Sequence, residues 1–217
     1  MLNGYMILIK KILEAKSVEL HDHSVKTSKI LGNLINIAHA SGFPMAITPD
    51  EAVILGLLHD IGKVYINDVI YYKQDSLSER EWETIKLHPA WGKQFVQGTV
   101  FENYGEFIIQ HHEKSDGSGY PNKLKSGSIH EVSYLLNIAD QLASLIENRP
   151  YKRAMSDKAT LLTVVMQNIE PVFGSETKNI IDRTIDCLID INEFKIPLTT
   201  PVFNGFEKQR VYDLFQL

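Results

Sequence analysis

The chain is poor in the features that mark secreted, membrane-spanning or nucleic-acid-coating proteins. Cysteine occurs once in 217 residues, at Cys187. That excludes a disulfide framework and a thiolate-based zinc site, and it suits a reducing compartment. No apolar run reaches the roughly 20 residues needed to cross a bilayer. The N-terminal run "YMILI" is cut short by Lys10 and Lys11 and has no cleavage site, so it reads as an amphipathic first helix. The cytoplasm is the expected location. Basic charge is not in excess either: the formal net charge is −5. A DNA-binding role is therefore not expected, although a few local cations suffice to hold one nucleotide. Alternating strand patterns are scarce. The one short candidate, "KVYINDVIYY", lies between helices without a partner run and reads as a connector.

What the sequence does contain is helical periodicity. Apolar residues make up 44% of the chain and recur at spacings of three and four, as at Ile30, Leu31, Leu34, Ile35 and Ala38. "TPDEAVILGLLHDIG" opens on a Thr-Pro-Asp-Glu start signal and runs to a stop near Gly62. "SLSEREWETIKLHPAWG" offers Ser78 as an N-cap with acids in the first turn. "IHEVSYLLNIADQLASLIENRP" predicts a long helix ending before Pro150, and "SETKNIIDRTIDCLIDI" predicts another. The expected fold is an all-α, single-domain bundle of roughly eight to ten helices. Its expected parts are an N-terminal helix over residues 1–18, a domain over 19–192 and a C-terminal extension over 193–217 with no assigned role.

Against this periodicity, polar residues intrude where the pattern points inward. Glu19 and His23 are four apart and share one helix face. His59 and Asp60 follow the apolar run "VILGLL", and His88 lies in "KLHPAWG". His111 and His112 end "FIIQ", and Asp140 interrupts "YLLNIADQLASL". Burying such groups is costly unless they are paired or bind a metal. Intrusions from several helices can converge in a bundle core, where helical metal sites are built. Imidazole and carboxylate donors without thiolate suit iron, manganese or zinc in a catalytic role. Adjacent helical residues point about 100° apart, so His111 and His112 can serve different metals, and Asp60 can bridge two.

In order and spacing, "LLHDIGK", "KLHPAWG", "HHEKSDGSGYP" and "NIADQL…NRPYK" resemble the HD-GYP branch of the HD phosphohydrolase superfamily, over about residues 19–152. The resemblance implies an HD-domain bundle with additional helices and a GYP loop. It implies a metal-dependent phosphodiesterase that hydrolyses cyclic di-GMP to pGpG, to GMP or to both. The cofactors implied are two or three divalent transition-metal ions, iron or manganese, which activate a water. His59, Asp60, His88, His111, His112 and Asp140 fall on the family's metal ligands. Glu19 matches the additional glutamate of three-metal members, and His23, rather than His21, matches the histidine four residues later. Asp60 and Lys63 are the expected catalytic residues, with Lys63 beside the metals and the scissile phosphate. Tyr120, Arg149 and Lys152 are the expected substrate contacts.

Glu113 and Asp116 are expected to brace the signature loop, and Trp82 and Trp91 to pack. His21, His39 and His130 receive no role. Ala143 departs from the family, which commonly has a second aspartate there. No receiver, PAS or GAF pattern accompanies the motifs. The readings are a stand-alone hydrolase, one regulated by a protein partner or by self-association, or a piece of a longer chain. Two rival functions stand beside the first: an HD hydrolase for another nucleotide or cyclic dinucleotide, and a non-catalytic cyclic di-GMP receptor.

Overall fold

The computed structural model describes residues 2–125, 127–146 and 180. Arg149, Lys152, the 193–217 extension and the helix expected from "SETKNIIDRTIDCLIDI" (save Ile180) lie outside the described residues.

The first helix, α1 (Leu2–Lys16), turns Met6, Ile9 and Leu13 into the core at spacings of three and four. Ser17 then leaves helical geometry at φ −169 and ψ 137, and its hydroxyl accepts the Leu20 N–H at 3.3 Å. That N-cap starts α2 (Val18–Ala40) in a new direction and sets His23 on its inner face. Thr48 and Glu51 form the capping box that the start signal implies, and α3 (Pro49–Leu58) follows. Every residue from Ala52 to Leu58 is buried, so α3 is apolar all round and runs through the centre. α2 packs along it, and α8 (Glu131–Ile146) packs on α2, joining Leu31, Leu34, Ile35, Leu55, Leu58, Leu135 and Leu136 in one core. Each such side chain contributes about 1.5–3 kcal/mol by leaving water.

The connector "KVYINDVIYY" forms a 3-10 turn (Ile61–Tyr65) and a short helix, α4 (Asp68–Tyr71), capped by Asn67. Lys16 pins this stretch to the end of α1, donating to the Ile66 carbonyl at 2.6 Å and sitting 4.9 Å from the centre of the Tyr71 ring. Ser78 caps α5 (Glu79–Ile85) through a second capping box. α6 (His88–Val96), a 3-10 turn (Glu102–Tyr104) and α7 (Gly105–Gln110) follow. Among the described residues there are eight α-helices, and the β-type pairing is a single bridge between Asp116 and Lys125. No helix among them is long and apolar enough to cross a membrane.

Gly62 shows how closely the turn after α3 meets α6. A Cβ there would lie 2.0 Å from the His88 carbonyl oxygen and 2.6 Å from the Gly92 nitrogen. Only glycine lets Asp60 and Lys63 approach the start of α6 this closely.

Candidate metal centre

The polar intrusions converge at one end of the central helices. His59 closes α3 and Asp60 begins the following 3-10 turn. His88 opens α6, His111 ends α7, His23 comes from α2 and Asp140 from α8. His23, His59, Asp60, His88 and His111 are buried, while Asp140 and His112 are partly buried. Three groups have ligand atoms within 4.8 Å of one another: Asp60 with His88, His111 and His112; His23 with His59 and Asp60; and His59 with His111 and Asp140.

Asp60 is the hinge of this arrangement. Its Oδ1 lies 3.1 Å from His88 Nε2 and 3.9 Å from His111 Nε2. Its Oδ2 lies 3.3 Å from His59 Nε2, 3.8 Å from His23 Nε2 and 2.5 Å from Lys63 Nζ. One carboxylate thus turns its two oxygens toward two sets of imidazoles. Asp140 Oδ1 takes the opposite wall, 2.9 Å from His23 Nε2.

The backbone fixes which imidazole nitrogen faces inward. Nδ1 of His59 donates to the Gly56 carbonyl at 2.7 Å, Nδ1 of His88 to Ile85 at 2.8 Å, and Nδ1 of His111 to Ile108 at 2.6 Å. Each acceptor is the carbonyl three residues earlier, near a helix end where such carbonyls need donors. A carbonyl only accepts, so each Nδ1 carries a proton, and in its neutral form each ring presents an Nε2 lone pair to the centre. Nε2 of His59 and Oδ1 of Asp60 are fully buried with no hydrogen-bond partner. Orphaned buried acceptors are costly in an ordinary core. With inward-facing imidazole lone pairs and carboxylates around them, the donor set fits divalent metal ions.

The electrostatics keep these donors available. Burial alone would raise the Asp60 carboxyl, but the Lys63 ammonium and the His59 imidazole hold it well below the usual carboxylate range. Burial would raise Asp140 likewise, but its His23 hydrogen bond and the charges of His23, His59 and His112 together lower it. Burial would lower Lys63, yet the charges of Asp60 and Asp140 raise it overall. Burial, with neighbouring imidazoles, pushes His111 well below its ordinary value, and burial brings His112 to about 3. Anionic carboxylates and neutral imidazoles are the forms that bind metal.

Of the sequence-derived ligands, His23, His59, Asp60, His88, His111, His112 and Asp140 meet here. Glu19 does not join them: it is exposed at the start of α2 and accepts the Ser17 hydroxyl at 2.6 Å. His21 pairs with Asp22 outside the cluster. Lys63 is bonded to Asp60, and the Tyr120 ring lies 4.8 Å from that of His112 on the site's edge.

Glu113 braces the loop rather than entering the cluster. Its buried carboxylate accepts the Asn122 N–H at 2.6 Å and the Leu124 N–H at 2.9 Å. Asp116 accepts the Ser118 N–H at 2.8 Å, a turn-forming bond. A Cβ on Gly119 would lie 2.5 Å from the Glu113 Cα, so the loop closes against its own start. Sequence reasoning missed Gln110, Asn137 and Gln141. Gln110 Oε1 accepts the His130 N–H, and Asn137 donates to the His111 carbonyl. Their signal was present in the polar positions 133, 137, 140 and 141 along one face of α8.

The family model described as "HD domain" matches residues 8–169. The chain belongs to the HD-domain family. It is 31% identical over 159 residues to the cyclic di-GMP phosphodiesterase response regulator RpfG of Xanthomonas campestris pv. campestris, covering 70% of this chain and 42% of that protein. It is 30% identical over 185 residues to the 3'3'-cGAMP-specific phosphodiesterase 3 of Vibrio cholerae, covering 83% and 38%. The chain thus spans about two-fifths of the length of these relatives. The solved HD domain of the phosphodiesterase PgpH from L. monocytogenes shares the fold, with a TM-score of 0.57 and 15% identity over 85% of this chain and 98% of that one.

Proposed function

We propose that the chain is a metal-dependent phosphodiesterase that hydrolyses cyclic di-GMP to pGpG, GMP or both. The observation that carries this reading is the Asp60 carboxylate, whose two oxygens face different imidazole sets. His23, His59, Asp60, His88, His111, His112 and Asp140 would hold two divalent ions, iron or manganese. Such ions, when bound, lower the pKa of water and neutralise charge on phosphate oxygens. Lys63 places its ammonium beside the site, where it offsets phosphate charge. Tyr120 forms the rim for the nucleotide, and Arg149 and Lys152, outside the described residues, grip its phosphates. Glu19 stands one turn before His23 on α2 and is the proposed ligand of a third ion. Its carboxylate would exchange the Ser17 hydroxyl for that ion. We place the enzyme in the cytoplasm, under the control of a protein partner or of self-association.

A second reading rests on the relatives. One of similar identity is named for 3'3'-cGAMP rather than cyclic di-GMP, so the mixed dinucleotide is the alternative substrate. The test is product analysis with each dinucleotide on anaerobically purified protein supplied with iron or manganese. Linear products from cyclic di-GMP are expected. Cleavage of 3'3'-cGAMP alone would transfer the reading to that substrate. Tight binding without cleavage would make the protein a receptor.

A further inference from the structure

The junction of His111 and His112 is built differently from the other ligand positions. Adjacent residues normally point well apart on a helix. Here α7 has ended, and the two rings lie with centres 4.0 Å apart and planes inclined by 42°. Their relative direction depends in part on the one peptide that joins them. The oxygen of that peptide, the His111 carbonyl, accepts the Asn137 Nδ2 donor at 2.7 Å. Asn137 is itself held, because Gln141 Nε2 donates to its Oδ1 at 2.5 Å. This second bond also fixes the amide's orientation, with oxygen toward Gln141 and nitrogen toward His111. One residue further, the His112 carbonyl accepts the Tyr120 N–H at 3.2 Å. One residue earlier, Gln110 is tied to α8 and its lead-in through Ser133 and His130.

We infer that Asn137, oriented by Gln141, is a positioning residue that sets the angle between His111 and His112 and thereby the metal affinity of the site. The inference rests on the metal reading above. The ring of His111 has a tether of its own, Nδ1 to the Ile108 carbonyl. What Asn137 adds is control of the peptide plane, and so of where His112 points relative to His111. α8 carries Asn137, Asp140 and Gln141 on one face, so a single helix supplies a candidate ligand and the clamp that aims two others. Asn137 also gives the helix-end carbonyl a hydrogen bond, and that role alone would affect folding but not the metal's surroundings.

The test separates these roles. Asn137→Leu keeps the side chain's size and removes its donor. Manganese affinity, measured by the paramagnetic resonance of free ion, should fall about 10- to 100-fold, the usual effect of losing a hydrogen bond behind a ligand. The spectrum of the bound ion should change, while the metal-free protein loses less stability than the affinity loss represents. Gln141→Leu leaves Asn137 in place but frees its amide, and should give a smaller loss in the same direction. It also serves if Asn137→Leu does not fold. Unchanged affinity and spectrum in both variants would overturn the inference, as would an affinity loss accompanied by an equal loss of metal-free stability. Asp60→Asn, measured in parallel, must abolish tight binding. If it binds like wild type, the metal reading itself fails; if it loses metal while the Asn137 and Gln141 variants match wild type, only the positioning role fails.

Discussion

Lys63 Nζ lies 2.5 Å from Oδ2 of Asp60, the oxygen that faces His23 and His59. The ammonium thus sits against the same carboxylate that joins the two imidazole sets. It keeps Asp60 ionised despite burial and holds a cation against the cluster.

Replacing Lys63 therefore separates chemistry from assembly. Lys63→Gln should retain most of its metal, because none of the imidazole donors is touched. Turnover should fall about 100-fold, the scale of losing one charge-stabilising donor. Steady-state kinetics with metal analysis of the same sample checks both halves. A turnover within a factor of two or so of wild type would reduce Lys63 to an ordinary partner of Asp60.

Glu113 separates the loop from the metals in the same way. Glu113→Gln keeps one acceptor oxygen but turns an amide toward one of the two N–H groups of Asn122 and Leu124. The mismatch costs about 1–3 kcal/mol of local order. Metal content should match wild type, and KM should rise about tenfold because the Tyr120 rim is no longer held. Titration of the dinucleotide against the metal-loaded variant measures this, and a loss of metal instead would make Glu113 part of the metal centre.

Much of this site was legible in the sequence, and the reasons are local. A histidine or aspartate inside an apolar helical run has few stable explanations, which made His59, Asp60 and Asp140 conspicuous. Thr48 and Ser78 announced their helices because capping chemistry is short-range. Choosing His23 over His21 rested on the match of "HSVKT" to the family's first helix, and the structure buries His23 beside Asp140 while His21 pairs with Asp22. The bend at Ser17 was harder to read, since apolar periodicity continues across it. So was the tether from Asn137 to the His111 carbonyl: the polar face of α8 marks Asn137, but nothing marks a partner 26 positions away. Glu19 shares a helix face with His23, yet the cap hydroxyl of Ser17 takes its carboxylate, a competition that spacing does not reveal.

Acidity should weaken the metal-free protein in a defined window. His112 takes up its proton near pH 3 when folded but at about 6.5 when unfolded. Between those values the unfolded chain binds more protons, so stability is full above about pH 6.5 and is lost as pH falls toward 3. His111 shifts the same way. Asp60 and Asp140, also held low, add slope of the same sign only below about pH 4. Denaturation of metal-free protein from pH 7 to pH 4 should show a steeper decline in wild type than in His112→Gln. Parallel curves would mean that His112 is not held as a neutral ring in the folded protein.

The most direct test of the account is the metal count of wild type and Asp60→Asn after anaerobic loading with iron or manganese. A carboxylate shared by two imidazole sets predicts at least two ions per wild-type chain, magnetically coupled through the bridge. It also predicts loss of the coupled pair, and of dinucleotide cleavage, in Asp60→Asn. A single uncoupled ion in wild type, or an Asp60→Asn protein that keeps its coupled pair, would contradict the account.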